Sequence, residues 1–154
     1  MTTARLECVI DASVGIKLLV NEPLSDKVDA LFAHLTADPT ALLAVPDLFY
    51  IECANILWKH VRRFGYAVAA AQKDLADLGK LSLHSISTSS LVADALTIAS
   101  AHGITAYDAC YIALARQLGV LCVTADEKLA SLALSTSYPV RWLGDFDIPP
   151  LPPS

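Results

Sequence analysis

The chain has 154 residues, 55% hydrophobic and 18% charged, with a formal net charge of −5. That length suits one core able to bury about two thirds of its unfolded surface without covalent staples, while the negative charge argues against binding nucleic acid by overall electrostatics. No run approaches the ~18 apolar residues of a membrane span, and residues 1–7 lack the apolar stretch of a secretion signal, so the cytoplasm is the expected compartment.

Residues 6–10 (Leu-Glu-Cys-Val-Ile) predict a strand, with Asp11 just past its carboxyl end and helical apolar spacing over 13–20. A turn at 21–23 leads to a helix over 24–35, with Val28, Leu31, Phe32 and Leu35 on one face. Residues 42–45 predict a second strand. Pro46 suits the first turn of the helix that follows, with Asp47 favourable beside it and Gly65 as its stop. A further amphipathic helix spans 66–78, and 81–86 alternates like a third strand.

Residues 88–90 cap a helix that runs through Ala101 and stops at Gly103. Thr105 begins the next helix as its N-cap, Asp108 completes the T-x-x-D box, and Gly119 ends it. Its face of Tyr107, Cys110, Tyr111, Ala113, Leu114 and Leu118 is expected to be buried. Residues 120–124 predict a buried strand and Ala125 opens a short helix, with Asp126 in its first turn, Thr124 as cap and Glu127 as box partner. Residues 138–143 suit an edge strand that tolerates Pro139. One domain is expected over 1–147, followed by a Pro-rich tail, 148–154, expected to be extended and mobile.

Strands alternating with helices of these lengths predict an α/β fold: an α/β/α sandwich around a mainly parallel sheet of about five strands. Ligands of such sheets gather beyond the strands' carboxyl ends, where Asp11 and Asp126 fall. The high apolar content predicts helices on both sheet faces and apolar surface given to a partner. Cys8, Cys53, Cys110 and Cys122 are widely spaced in apolar runs and suit buried small hydrophobes better than a disulfide or zinc site.

Each of Asp11, Asp108 and Asp126 has an ordinary role open to it, as a helix cap or a first-turn acid. Glu52 does not, because it lies mid-helix among Ile51, Cys53, Ala54, Ile56 and Leu57. Asn55 and Lys59 continue its stripe, and Lys59 suits a counter-ion or a phosphate contact. Four converging carboxylates would raise one another's pKa values unless neutralised. The natural partner is a hard divalent ion, Mg²⁺ or Mn²⁺, and the matching chemistry is metal-assisted hydrolysis of a phosphodiester.

The stretches Val9-Ile10-Asp11-Ala12-Ser13, Pro46-Asp47-Leu48-Phe49-Tyr50-Ile51-Glu52-Cys53-Ala54-Asn55, Thr105-Ala106-Tyr107-Asp108-Ala109 and Val123-Thr124-Ala125-Asp126 together resemble a PIN domain. In spacing and length they are similar to the VapC-type toxins of toxin–antitoxin pairs. The resemblance spans residues 6–143. It implies that Asp11, Glu52, Asp108 and Asp126 are the catalytic, metal-binding acids, that Ser13 and Thr124 are supporting hydroxyls, and that Asn55 is a polar neighbour of Glu52. It further implies Mg²⁺- or Mn²⁺-dependent ribonuclease activity, a homodimer, and inhibition by a cognate antitoxin that inserts a peptide into the groove. The tail after Asp147 runs past the compact end usual in the family.

RNA contacts would then rest on local cations, Lys17, Lys59, Arg62 and Arg63, although the cluster at 59–63 suits a solvated helix end equally well. Two other readings compete. A response-regulator-like phosphoacceptor needs an Asp ending a central strand and a Lys ending a late one, and neither 41–45 nor 120–124 supplies them. A PIN-like scaffold without catalysis would be marked by loss of acids, and all four are present.

Overall fold

Residues 4–153 are described by a computed structural model. β1 (Glu7–Ile10), β2 (Leu42–Pro46), β3 (His84–Ile86), β4 (Leu121–Thr124) and β5 (Val140–Trp142) form one sheet in the order β3-β2-β1-β4-β5. Every neighbouring pair is parallel. In the register, Val9 faces Ala44 on one side and Cys122 on the other. The central strands are apolar at successive positions because both faces are covered: Cys8, Val9, Ile10, Leu43, Ala44, Val45, Cys122 and Val123 are all buried.

Helices α1 (Ala12–Leu19), α2 (Ser25–Phe32), α3 (His34–Ala37), α4 (Leu48–Phe64) and α5 (Val68–Gly79) connect β1 to β2 and β2 to β3. Ile16, Leu57 and Ala71 join α1, α4 and α5 in a small cluster of their own. The other layer is built on α6 (Val92–His102) and α7 (Ala106–Leu118), and α8 (Glu127–Ala130) links β4 to β5. From Ala109 to Ala115 α7 is buried without interruption, packed against β1, β2 and β4. Each large aliphatic side chain removed from water here contributes about 1.5–3 kcal/mol, so α7 and the central strands dominate the core.

α1 and α4 meet at Gly15. A Cβ there would stand 2.4 Å from Cζ of Phe49, so only glycine permits the close packing. Gly119, at φ +68°, ends α7 in the left-handed conformation that glycine adopts without strain.

The structure corrects several boundaries. The helix expected over 24–35 breaks at Ala33 into α2 and α3. Pro46 is the last residue of β2 rather than part of a helical turn. The third strand is only His84–Ile86, with a short 3₁₀ turn at Thr88–Ser90 before α6. Asp47 precedes α4 without capping it through its own side chain. Its Oδ1 instead accepts from the Thr88 amide (2.9 Å) and hydroxyl (2.5 Å), while the Leu48 amide donates to the same hydroxyl at 3.0 Å. Thr88 thereby caps α4 from forty residues away.

The four cysteines are free and buried, as expected. Burial pushes the Cys8 and Cys53 thiols up to about 12, so neither is a nucleophile at neutral pH. At the carboxyl end of the chain, Ile148 packs on the core and the Pro149 carbonyl lies 2.8 Å from Nε2 of His34.

Candidate active site

The sheet order reverses around β1, which has β2 on one side and β4 on the other. A crevice therefore opens beyond the carboxyl ends of β1 and β4. Asp11 follows β1 directly, and its amide donates to the Val123 carbonyl at 3.3 Å. Its side chain caps α1, accepting from the Val14 amide (3.2 Å) and the Ser13 hydroxyl (2.5 Å), both at Oδ1. Ser13 in turn accepts from the Ala125 amide at 2.9 Å, and its oxygen lies 3.4 Å from that of the buried Thr124. One hydroxyl thus fastens the Asp11 carboxylate to the end of β4, which gives Ser13 and Thr124 a supporting place.

Asp11 is only 4% exposed. Burial raises its carboxyl to about 6, against the pull of its hydrogen bonds, and the Asp108 charge adds to the rise. Asp108, half-buried in the first turn of α7, is also raised, by burial first and then by Asp126. Glu52 is raised by burial, with Asp108 again adding, while a hydrogen bond from Tyr111 opposes the shift. Asp108 is the hub through whose field the other three acids are linked.

Asp126 stands exposed at the mouth and is itself the N-cap of α8, accepting from the Lys128 and Leu129 amides. This differs from the expected arrangement, in which Thr124 caps the helix. Thr124 Oγ1 accepts instead from the Asp126 amide, at 3.1 Å. Asp108 and Asp126 border one cavity of about 500 Å³.

Glu52 lines a neighbouring groove of about 590 Å³ with Asn55, Lys59 and Tyr107. Its Oε1 accepts from the Tyr111 hydroxyl at 2.5 Å. Sequence reasoning missed Tyr111, because a Tyr on an apolar helical face reads as core. Its position one turn after Asp108 was the available signal. Tyr107 is a correction: the expected buried face includes it, yet it is 64% exposed. It precedes the first buried residue of α7 by two, where the helix still overhangs the crevice.

Of the cations, Lys59 reaches the groove. Arg62 lies over the Trp58 ring at 5.6 Å, and Arg63 shares the last turn of α4. Lys17 pairs with Glu22 at 3.4 Å. Among the described residues, no ion pair involves Asp11, Glu52, Asp108 or Asp126, so their charges are uncompensated by protein. No group of three or more His, Cys, Asp and Glu side chains among these residues is arranged to hold a metal ion. The donor set still suits Mg²⁺ or Mn²⁺, which prefer carboxylate oxygen and commonly take one or two carboxylates, with water and substrate phosphate completing the shell. Asp11, buried and raised further by the Asp108 charge, and the half-buried Asp108 are the pair with most to gain from a cation.

The family profile of the PIN domain matches residues 8–134. The chain belongs to the PIN domain family. This PIN protein is 34% identical over 129 residues to ribonuclease VapC3 of Pyrobaculum aerophilum, an alignment covering 81% of this chain and 93% of that one. Among solved structures it is similar to PAE2754 of Pyrobaculum aerophilum, with TM-score 0.64, 28% identity and coverage of 83% of this chain and 86% of that one. VapC20 of Mycobacterium tuberculosis, a sarcin–ricin loop cleaving toxin, shares the fold with TM-score 0.62 at 16% identity, over 82% of this chain and 95% of that chain. The five-stranded parallel sheet flanked by helices is the architecture of these PIN neighbours. Among the described residues, no helix is long and apolar enough to cross a membrane.

Proposed function

We propose that this PIN protein is a metal-dependent endoribonuclease, the toxin of a toxin–antitoxin pair. The observation that carries the reading is Asp11: a buried carboxylate at the point where the sheet order reverses, raised further by the charge of Asp108 and, among the described residues, in no ion pair. The 34% identity to ribonuclease VapC3 supports the substrate class.

Asp11 and Asp108 would hold Mg²⁺ or Mn²⁺, with Glu52 and Asp126 completing an acidic bowl. Such an ion, when bound, supplies charge neutralisation on the phosphodiester and lowers the pKa of an attacking water. The chain's own part is to fix the carboxylates. Ser13 and the Val14 amide orient Asp11, Tyr111 holds Glu52, and the α8 amides hold Asp126. Asn55 and Lys59 border the groove beside Glu52, where Lys59 offers a positive charge to a phosphate. Arg62 and Arg63 extend that charge along α4, while the charge of Lys17 is taken up by Glu22.

Exposed Trp58 and Phe64 on α4, with Val92 and Leu96 on α6, support a homodimer and an antitoxin as occupants of the apolar surface. VapBC2 of Rickettsia felis, solved on a fragment of its promoter DNA, shares the fold at 13% identity with TM-score 0.59 and covers 92% of this chain and all of that one.

The test is incubation with labelled total RNA in Mg²⁺, Mn²⁺ or EDTA, beside Asp11→Asn and Asp108→Asn. Discrete, metal-dependent fragments that vanish in both variants are expected. Cleavage that persists in either chelated, repurified variant would remove the assignment. A folded wild type that neither cleaves nor binds divalent ions would point to a scaffold. Light scattering at micromolar concentration should give the mass of a dimer.

A further inference from the structure

The groove beside the acids has a chemistry that metal binding does not use. Two helices build it. α4 contributes Ile51, Ala54, Asn55, Ile56 and Lys59, while α7 contributes Tyr107, the residue before Asp108. Along α4, Ile51, Asn55 and Lys59 stand four apart, so they share one face and rise about 6 Å at each step. Phe49, Cys53 and Leu57 form the opposite, buried face.

Tyr107 is the odd member. An aromatic ring 64% exposed at the lip of a groove gives up apolar burial without visible return. Among the described residues its ring makes no aromatic or cation contact. Asn55 and Lys59 are exposed, and among the described residues Lys59 forms no ion pair. One wall therefore offers a flat aromatic face and the other an amide and an ammonium. Small aliphatic surface lies between them, in about 590 Å³. That combination matches an unpaired nucleotide: an aromatic face for the base, an amide for its edge, a cation for its phosphate. A peptide segment would use the apolar floor and could set an acidic side chain on Lys59, but it does not call for an exposed aromatic ring facing an amide beside the acids, as a planar base does.

We propose that this groove is a nucleobase subsite, in which Tyr107 stacks on one unpaired base of an RNA strand, Asn55 hydrogen-bonds its edge and Lys59 pairs with the adjoining phosphate. The inference rests on the ribonuclease reading and deepens it. It makes Tyr107 the platform that holds one nucleotide next to the acids and Asn55 the residue that reads its edge, with the substrate single-stranded at that point.

The experiment measures binding without cleavage. Asp11→Asn protein in EDTA is titrated with a labelled single-stranded RNA of about twelve nucleotides and mixed sequence. It is titrated again with a set in which an abasic site occupies each position in turn. In this background Tyr107→Ala should weaken binding by about five- to a hundredfold, the value of one base–aromatic stack, and Tyr107→Phe should stay within about threefold. One abasic position should weaken the parent by the same factor yet leave Tyr107→Ala unaffected, because base and ring then report a single contact. Melting temperatures of the variants should match the parent's, the ring being exposed.

Binding within twofold for Tyr107→Ala, a loss independent of abasic position, or no RNA binding by the parent would each overturn the subsite. An unchanged RNA affinity with a changed oligomeric mass would assign the ring to a second copy of the chain instead. Failure of metal-dependent cleavage with the abasic pattern intact would defeat the nuclease reading alone. The reverse result would defeat the subsite alone.

Discussion

Replacing Asp11 by Asn should stabilise the protein at neutral pH when divalent ions are removed. The Asp11 carboxyl rises from an ordinary 3.8 to about 6 because the folded chain buries it, and that difference corresponds to about 3 kcal/mol. Between those two values the folded state holds a proton that the unfolded chain has released. Stability therefore falls as pH climbs from about 4 to about 6, and the deficit persists above. Asn has no such titration, and its amide oxygen can accept from the same Ser13 hydroxyl and Val14 amide. Urea melts in EDTA at about pH 7.5 should then show the variant more stable by up to about 3 kcal/mol, with the gap closing towards pH 4. Mg²⁺ should raise the melting point of the wild type and leave the variant unmoved. A variant less stable than wild type at pH 7.5, or a gap independent of pH, would refute the claim that this carboxylate is held ionised at the expense of the fold.

Three further changes test the supports around it. Gly15→Ala forces a methyl against the Phe49 ring and should cost about 1–3 kcal/mol; Phe49→Leu in the same chain should recover part of that, and additive losses in the double variant would show that the two helices do not touch there. Thr88→Ala removes the hydroxyl that bonds Asp47 and Leu48 and should lower stability by about 1–2 kcal/mol in denaturant melts, with Thr88→Ser losing less. Tyr111→Phe deletes the donor to Glu52. That bond lowers the Glu52 carboxyl, so its loss should move the acid limb of the cleavage–pH profile to higher pH, and a profile that stays in place would show that Glu52 does not titrate in the reaction.

Much of this architecture is written locally. The strand-then-Asp pattern at 7–11, the Thr105 cap and the glycines after α4, α6 and α7 act within a few residues of themselves, and the structure places them as expected. What the sequence hides is whatever depends on a distant partner. Thr88 reads as the start of its own helix, while its hydroxyl serves α4. Tyr111 reads as core, which it is, yet its oxygen fixes an acid 59 positions away. Tyr107 follows the apolar period of α7, but periodicity gives a face and not where along the helix the neighbouring layer ends. Lys17 counts as a free cation until Glu22, beyond a turn, comes within 3.4 Å.

That Asp11 and Asp126 double as helix caps has a genetic consequence. Asn caps a helix as well as Asp does, and the codons of the two differ by a single base. Either acid can therefore lose its charge through one point mutation while the helix it begins stays capped. Alleles of this kind should accumulate whenever the activity harms the cell that carries it. Their products should remain folded and abundant, able to occupy a partner without cutting anything. A selection for survivors of overexpression should return Asp-to-Asn changes at these positions more often than the truncations that destroy the sheet.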